Sequence, residues 1–288
     1  MTDAVRVHSI HHAGSGTWTH LVVDPASARA AIIDAVLDFD PASGRIGTQP
    51  AQALLGRVRE LGVGVDWILE THAHADHLTA GAWLRERLGA PLAIGAGIAE
   101  VRRGFRHLLD PSEDVAPDGA FDRLLHDGDT LRLGTLDLRV MATPGHTPDG
   151  VAYHVGDAVF VGDTLFAPGA GSARCDFPGG SAATLYASIR RLYALPDATR
   201  AYLCHDYPAA GADALAQTTI GEEKRANTQL RGDTSAADYI AVRERRDATL
   251  PVPKLLWPAI QFNLRGGRLP PADANGHRLF RLPVAFDA

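Results

Sequence analysis

Apolar positions recur along this chain in two rhythms. Residues 20–23 (His-Leu-Val-Val) and 30–34 (Ala-Ala-Ile-Ile-Asp) are short apolar runs on either side of Asp24-Pro25, a pattern that predicts a hairpin. Residues 65–69 predict another short, buried strand. Other stretches follow the helical period. Residues 51–61 predict an amphipathic helix stopped at Gly62. Residues 78–88, with Leu78, Ala82, Leu84 and Leu88 in register, predict a second that Gly89 ends. Further on, strands are expected near 131–141 and 151–161, and a helix over 182–195 that Pro196 stops. Beyond about residue 232 the chain turns Pro- and Arg-rich. There 238–249 reads as a helix, and the prolines between 251 and 258 exclude a long one. No repeat or low-complexity linker divides the chain. The expected organisation is a main unit over 1–232 with an extension, 233–288, packed onto it.

The polar positions that interrupt this pattern carry candidate chemistry. His72-Ala73-His74-Ala75-Asp76-His77 places three imidazoles and a carboxylate within six residues, between the strand at 65–69 and the helix that follows. Imidazole and carboxylate suit zinc and iron. A strand-to-helix loop is also where a rigid scaffold aims side chains into a cleft. Later strand ends add His146 in Pro144-Gly145-His146-Thr147, Asp163 after Gly162, and His205 in Cys204-His205-Asp206-Tyr207. Each of these alone reads more readily as structural. Together, in this order, they read as a metal centre.

The ordered set resembles the metallo-β-lactamase superfamily. That resemblance implies an α+β fold, an αβ/βα sandwich of two mixed sheets flanked by helices, with the metal at one edge. It runs from about residue 7 to 230. Within it, residues 169–180 (containing Arg174-Cys175-Asp176-Phe177), 184–189, 204–207 and 219–227 resemble the persulfide dioxygenases, or sulfur dioxygenases, as does the later stretch 258–267. The chain departs from that family's pattern at Cys175, at Pro178-Gly179 and in a longer stretch over 110–121. The resemblance implies one Fe(II) per subunit, held by His72, His146 and Asp163. Two imidazoles and one carboxylate leave coordination positions open for substrate and O2. His74, Asp76, His77 and His205 would then orient ligands or order water; in a hydrolase they would hold a second metal, with zinc in place of iron. The implied reaction is oxidation of glutathione persulfide by O2 and water to glutathione and sulfite. The alternative is a glyoxalase-II-type thioesterase that hydrolyses S-acylglutathione with two metals. Glutathione carries carboxylates that call for cationic forks. Arg174, Asp176, Tyr186, Lys254, Arg265 and Arg268 are the candidate substrate residues. Each has a structural counter-reading: Arg174 paired with Asp176, Tyr186 in the core, the tail cations solvated.

Composition narrows the class. At 288 residues, 45% hydrophobic and 22% charged, the chain is neither disordered nor membranous. A net charge of −6 argues against nucleic-acid partners, which require a basic face. No apolar run approaches the roughly 20 residues of a membrane helix. The N-terminal Met1-Thr2-Asp3-Ala4-Val5-Arg6 shows no signal-peptide pattern. Two cysteines, Cys175 and Cys204, suggest a reducing compartment, so the expected location is cytoplasmic. The expected partners are glutathione persulfide and O2, with a homodimer left open.

Overall fold

The computed structural model describes residues 5–109, 119–206 and 212–284. The first half runs β1 (Arg6–His12), β2 (Thr17–Asp24), β3 (Arg29–Ile33), β4 (Val36–Asp40), β5 (Arg45–Gly47), α1 (Gln49–Leu61), β6 (Gly64–Leu69), β7 (Leu78–Thr79), α2 (Gly81–Leu88), β8 (Leu92–Gly95), α3 (Ile98–Gly104) and β9 (Arg123–Leu125). The second half runs β10 (Thr130–Leu133), β11 (Leu136–Ala142), β12 (Val151–Val155), β13 (Ala158–Phe160), α4 (Ala182–Leu192), β14 (Arg200–Tyr202), β15 (Gln217–Thr219), α5 (Ile220–Ala226), α6 (Ala236–Asp247) and α7 (Leu256–Asn263).

Two six-stranded mixed sheets result. One has the order β1-β2-β3-β6-β8-β9 and is parallel from β3 onward. The other has the order β10 to β15 in sequence and is antiparallel except between β13 and β14. A small ribbon, β5-β4-β7, flanks the first. β3 is apolar on both faces because both are covered. Ala31 and Ile33 meet Leu138, Val140 and Tyr153 of the second sheet. Ala30 and Ile32 turn to the outer layer, with Leu54, Leu55 and Val58 of α1, Leu84 of α2 and Ile98 of α3. On the far side, Val159 and Ala201 pack under Leu185 and Ile189 of α4 and Tyr239 of α6. This is the αβ/βα sandwich.

The hairpin at Asp24-Pro25 forms as β2 and β3, and α1 ends at Gly62 in the left-handed conformation (φ 63°). The structure corrects two expectations. The strands expected over 131–141 and 151–161 are each a hairpin, turning at Gly134 (φ 56°) and Gly156 (φ 58°). The helix expected from residue 78 begins at Gly81, because Leu78 and Thr79 pair with Leu37 and Val36 of β4 and extend the ribbon. A helix also begins inside the 251–258 stretch. Pro258 lies in the first turn of α7, where its missing N–H removes no helix bond. α7 drives Leu256, Ala259, Ile260 and Phe262 into the outer core of the first sheet. Of the 110–121 stretch, residues 110–118 lie outside the described residues, as does Tyr207. Among the described residues no helix is long and apolar enough to cross a membrane.

His20 stitches the sheets together near the site edge. Its Nε2 donates to the Leu203 carbonyl (2.9 Å), so its Nδ1 accepts from the Ser9 hydroxyl (2.9 Å). The ring sits 5.3 Å from Phe160 and 5.4 Å from Tyr202. Burial pushes its pKa down to about 4. The unfolded chain therefore binds a proton that folded His20 refuses. Stability is expected to fall as pH drops from about 6.5 towards 4, by on the order of 3 kcal/mol from this residue. Urea midpoints across that range should show His20→Gln, whatever its stability at pH 7.5, losing less on acidification than the parent. Equal losses would remove His20 as the cause.

Candidate metal centre

The site forms where strands from both sheets end at one edge of the sandwich. β6 delivers the 72–77 loop, β11 leads to His146, β13 to Asp163 and β14 to His205. Two glycines make the convergence possible. Gly145 has φ 133°, and a Cβ there would lie 2.3 Å from the Leu185 backbone nitrogen. Gly162 has φ 52°, and its Cβ would sit 2.8 Å from the Thr71 side chain, immediately behind His72.

Four imidazoles of the set, those of His72, His74, His77 and His146, are tied down at one nitrogen. His72 Nδ1 donates to the Thr71 hydroxyl (3.0 Å), which itself donates to Asp34 Oδ2 (2.9 Å). His146 Nδ1 donates to the Arg174 carbonyl (2.7 Å). His74 Nε2 donates to Asp34 Oδ1 (3.1 Å). His77 Nδ1 lies 3.3 Å from the Thr17 hydroxyl and 3.4 Å from Asp76 Oδ2. The nitrogens left over at His72 (Nε2), His74 (Nδ1) and His77 (Nε2) are buried without hydrogen-bond partners, and so is Asp163 Oδ1. Orphaned buried polar atoms are costly unless something else satisfies them. Here all of them are lone-pair donors of the kind a divalent metal takes. The residues therefore fit a metal.

The donors form two groups joined by Asp163. His72, His146 and Asp163 bring one ligand atom each to within 4.8 Å of one another, and so do His74, Asp76, His77 and His205. Asp163 Oδ2 faces His72 Nε2 (3.8 Å) and His146 Nε2 (3.6 Å), while Oδ1 faces His205 Nε2 (3.4 Å). Burial, with the neighbouring His74 and His146, pushes His72 well below its usual pKa and keeps it neutral, as a ligand must be. Burial also opposes charge on His74, but Asp34 and Glu70 outweigh it and raise its pKa. Burial opposes ionisation of Asp76 too, yet His205 and His77 hold it well below the usual carboxylate range.

Four supporting residues carry no motif in the sequence. Asp34, 1% exposed, binds the Thr71 N–H (2.8 Å), the Thr71 hydroxyl, His74 and the Cys204 thiol (3.5 Å). Glu70 accepts from the Thr79 hydroxyl and lies 3.6 Å from His74. Asp149 accepts from the Ala73 N–H (2.8 Å). Asn263 of α7 donates to the His74 and His77 carbonyls (2.8 Å each) and accepts from the Thr79 N–H (2.9 Å). Asp34 had a usable signal, a carboxylate ending an apolar strand as Asp163 does. Asn263 lies inside the 258–267 stretch, but nothing local marks what it reaches.

A cleft of about 390 Å³ opens beside the first group, lined by Asp76, His146, Asp163, Phe166, Arg174, Phe177, Arg243 and Arg246 among others. Of the expected substrate residues only Arg174 lines it. Its guanidinium is already forked onto Asp176 (2.6 Å twice) and bonded to the Pro251 carbonyl (2.8 Å). Asp176 lies outside the lining and braces Arg174. Tyr186 turns its hydroxyl to the Thr234 carbonyl and its ring to Tyr239. Lys254 is exposed outside the cleft, and Arg268 likewise. Arg265 is buried and donates to the Gln261 carbonyl of α7. The tail cations are thus not brought over the cleft, because α7 is anchored in the outer core and orients them away. Arg243 and Arg246 of α6 stand there instead. Arg243 is consumed by Asp247 and the Ser172 carbonyl. Arg246 makes no side-chain hydrogen bond or ion pair among the described residues, which leaves a cation at the rim. The two cysteines are buried and form no disulfide. Burial pushes the Cys175 thiol up to about 12 and Cys204 well above its ordinary value, so both are inert thiols in this state. Asp34→Asn would force an amide donor against His74 or Thr71. It is expected to weaken metal binding about 10- to 100-fold, by chelator competition, while the fold persists. Unchanged affinity would show that Asp34 only supports the loop.

Comparison with known proteins identifies the family. The metallo-beta-lactamase superfamily pattern matches residues 14–205. A probable metallo-hydrolase of Burkholderia pseudomallei is 47% identical over 93% of this chain and 95% of its own. Glyoxylase B2 of Dictyostelium discoideum is 38% identical over 99% of each. The mitochondrial persulfide dioxygenase ETHE1 of Homo sapiens is 30% identical over 88% of this chain and 85% of its own. The chain spans 62–64% of the length of beta-lactamase hydrolase-like proteins from Agrobacterium fabrum and Xylella fastidiosa. The crystal structure of ETHE1 from Myxococcus xanthus superposes with a TM-score of 0.73 at 33% identity, covering 91% of this chain and all of that one. Strand ends, donor order and these similarities converge: the chain belongs to the metallo-beta-lactamase superfamily.

Proposed function

We propose that the chain is a persulfide dioxygenase with one Fe(II), oxidising glutathione persulfide to glutathione and sulfite. One observation carries the reading. The 174–177 segment that resembles the dioxygenases is built onto the centre, because the Arg174 carbonyl fixes the tautomer of His146 and Phe177 packs 5.3 Å from its ring. The identity to ETHE1 proteins from two organisms supports it.

In this reading His72 Nε2, His146 Nε2 and Asp163 hold the metal. When bound, iron supplies the electron route from the persulfide sulfur to O2 and the open positions at which the two meet. The protein does the rest. Phe166, Phe177 and Ala173 wall the cleft with apolar surface and exclude water from the reacting sulfur. Arg174 stacks 5.2 Å over Phe177 and, locked to Asp176, keeps that wall rigid. Arg246 at the rim offers the unpaired fork that a glutathione carboxylate requires. His74, Asp76, His77 and His205 order the remaining polar edge.

A second reading has its own observation. His74, Asp76, His77 and His205 are intact and close enough to hold a second metal, as a dinuclear thioesterase acting on S-acylglutathione would need. Its support among relatives is the metallo-hydrolase and Glyoxylase B2 similarity.

Oxygen-electrode traces separate the two. Protein loaded anaerobically with iron is expected to consume one O2 per glutathione persulfide and release sulfite; hydrolysis of S-acylglutathione without oxygen uptake would move the assignment to the thioesterase. His146→Ala should abolish iron binding and uptake together, and retained turnover would sink the ligand set. Elemental analysis of Asp76→Ala is expected to find one iron still bound. A fall from two metals per chain to one would instead identify the dinuclear centre.

A further inference from the structure

His146 is held from behind by a peptide unit, and that unit has a second partner. The Arg174 carbonyl that accepts from His146 Nδ1 (2.7 Å) and the N–H of Cys175 belong to the same amide group. The Cys175 N–H donates to Asp247 Oδ2 of α6 at 2.9 Å. A line of hydrogen bonds therefore runs from the Asp247 carboxylate, across one peptide, to the imidazole. His72 is backed in a comparable way, through the Thr71 hydroxyl to Asp34. Both imidazoles of the first donor group thus have a buried carboxylate behind them at one remove.

Asp247 is itself held firmly. Its side chain is 8% exposed and that of its partner Arg243 is 1% exposed. Arg243 directs Nε (2.9 Å) and Nη2 (2.6 Å) at Asp247 Oδ1, which leaves Oδ2 to the Cys175 N–H. Arg243 Nη1 reaches the Ser172 carbonyl (2.9 Å) and Gln229 Oε1 (3.0 Å). A buried ion pair contributes little net stability, because desolvation offsets the attraction. What this pair secures is the 172–175 segment, at both of its ends. α6 also carries Arg243 and Arg246 to the cleft, so the helix that walls the cleft is the one that anchors His146.

The peptide is more than a strut. Its C–N bond is partly double, so nitrogen and oxygen share one π system. A carboxylate accepting from the N–H pushes electron density towards the carbonyl oxygen. An ionised acceptor makes that first bond about twice as strong as a neutral one. The oxygen becomes a stronger acceptor in turn, since hydrogen bonds linked in a chain polarise one another. The Nδ1–H of His146 is pulled harder, and its Nε2 becomes the better electron-pair donor.

We propose that Asp247 is a positioning residue of the metal centre, which fixes His146 and enriches its Nε2 through the peptide between Arg174 and Cys175. The proposal rests on His146 being a metal ligand, which both readings of the activity share, and on neither reaction.

Zinc titration of the full metal-free chain, followed in 15N-resolved proton spectra, tests it without any substitution. Polarisation runs both ways along the line. Zinc is therefore expected to move the His146 Nδ1–H and the Cys175 amide proton downfield together. Movement of the imidazole proton alone overturns the relay and leaves His146 a ligand. Movement of neither removes His146 from the ligand set, and the shared reading falls with the proposal. Two variants separate relay from loop packing. In Asp247→Asn the side-chain oxygen stays with Arg243 and the amide turns a donor to the Cys175 N–H, which breaks the line. Zinc affinity is expected to fall on the order of tenfold by chelator competition, with the Cys175 shift lost. Gln229→Ala loosens the same segment at Ser172 but leaves the line intact, so affinity and the coupled shift are expected to persist. Equal losses in the two variants would assign Asp247 to loop packing alone and overturn the proposal.

Discussion

The buried carboxylate of Asp34 is the interaction on which the rest of the centre depends. It ends β3 in the left-handed conformation (φ 53°), which Asp tolerates better than most residues. From there one side chain aligns the Thr71 backbone, the Thr71 hydroxyl behind His72, and the ring of His74. A buried charge is costly unless paired and fully hydrogen-bonded. Asp34 meets that condition only when the 71–74 segment and the end of β14 are both in place, so burying the carboxylate and assembling the donors are one event.

The same logic extends outward. Asp149 holds Ala73 from the loop after His146, and Asn263 clasps the carbonyls of His74 and His77 from α7. The donor loop is thereby fastened to both halves of the sandwich and to the tail. That tail is anchored by Ile260 and Phe262 in the outer core, so packing energy far from the metal holds the donors in position. The result is that His72, His74 and His77 are each tied at one nitrogen and open at the other, which is what a metal site needs before the metal arrives.

The asymmetry of the two openings gives the site its character. The cleft past Phe166 and Phe177 is apolar-walled with a cation, Arg246, at its rim. The second opening, lined by His12, Ser15 and Asp38, is the more polar of the two. Asp76 stands between them, and Asp163 turns one oxygen to each donor group.

Much of this was legible in the chain itself. The spacing of His72, His74, Asp76 and His77, and the placement of His146, Asp163 and His205 after apolar runs, pointed to side chains that the fold brings together, because a strand end is a local feature and an apolar run announces it. The layers followed from short runs that are apolar on both faces, as in β3. The errors were local too: the glycines at 134 and 156 turn single expected strands into hairpins, and Leu78-Thr79 obeys a ribbon partner rather than the helix after it. What only the tertiary structure decided were relations across long separations. Which nitrogen of each histidine is open, that the Arg174 fork is spent on Asp176, that α6 rather than the tail supplies the rim cation, and that Asn263 reaches back to His74 all depend on how distant elements pack. Local sequence specifies which groups can donate or accept. Only the packed fold brings a particular partner within the roughly 3 Å at which a hydrogen bond chooses between them.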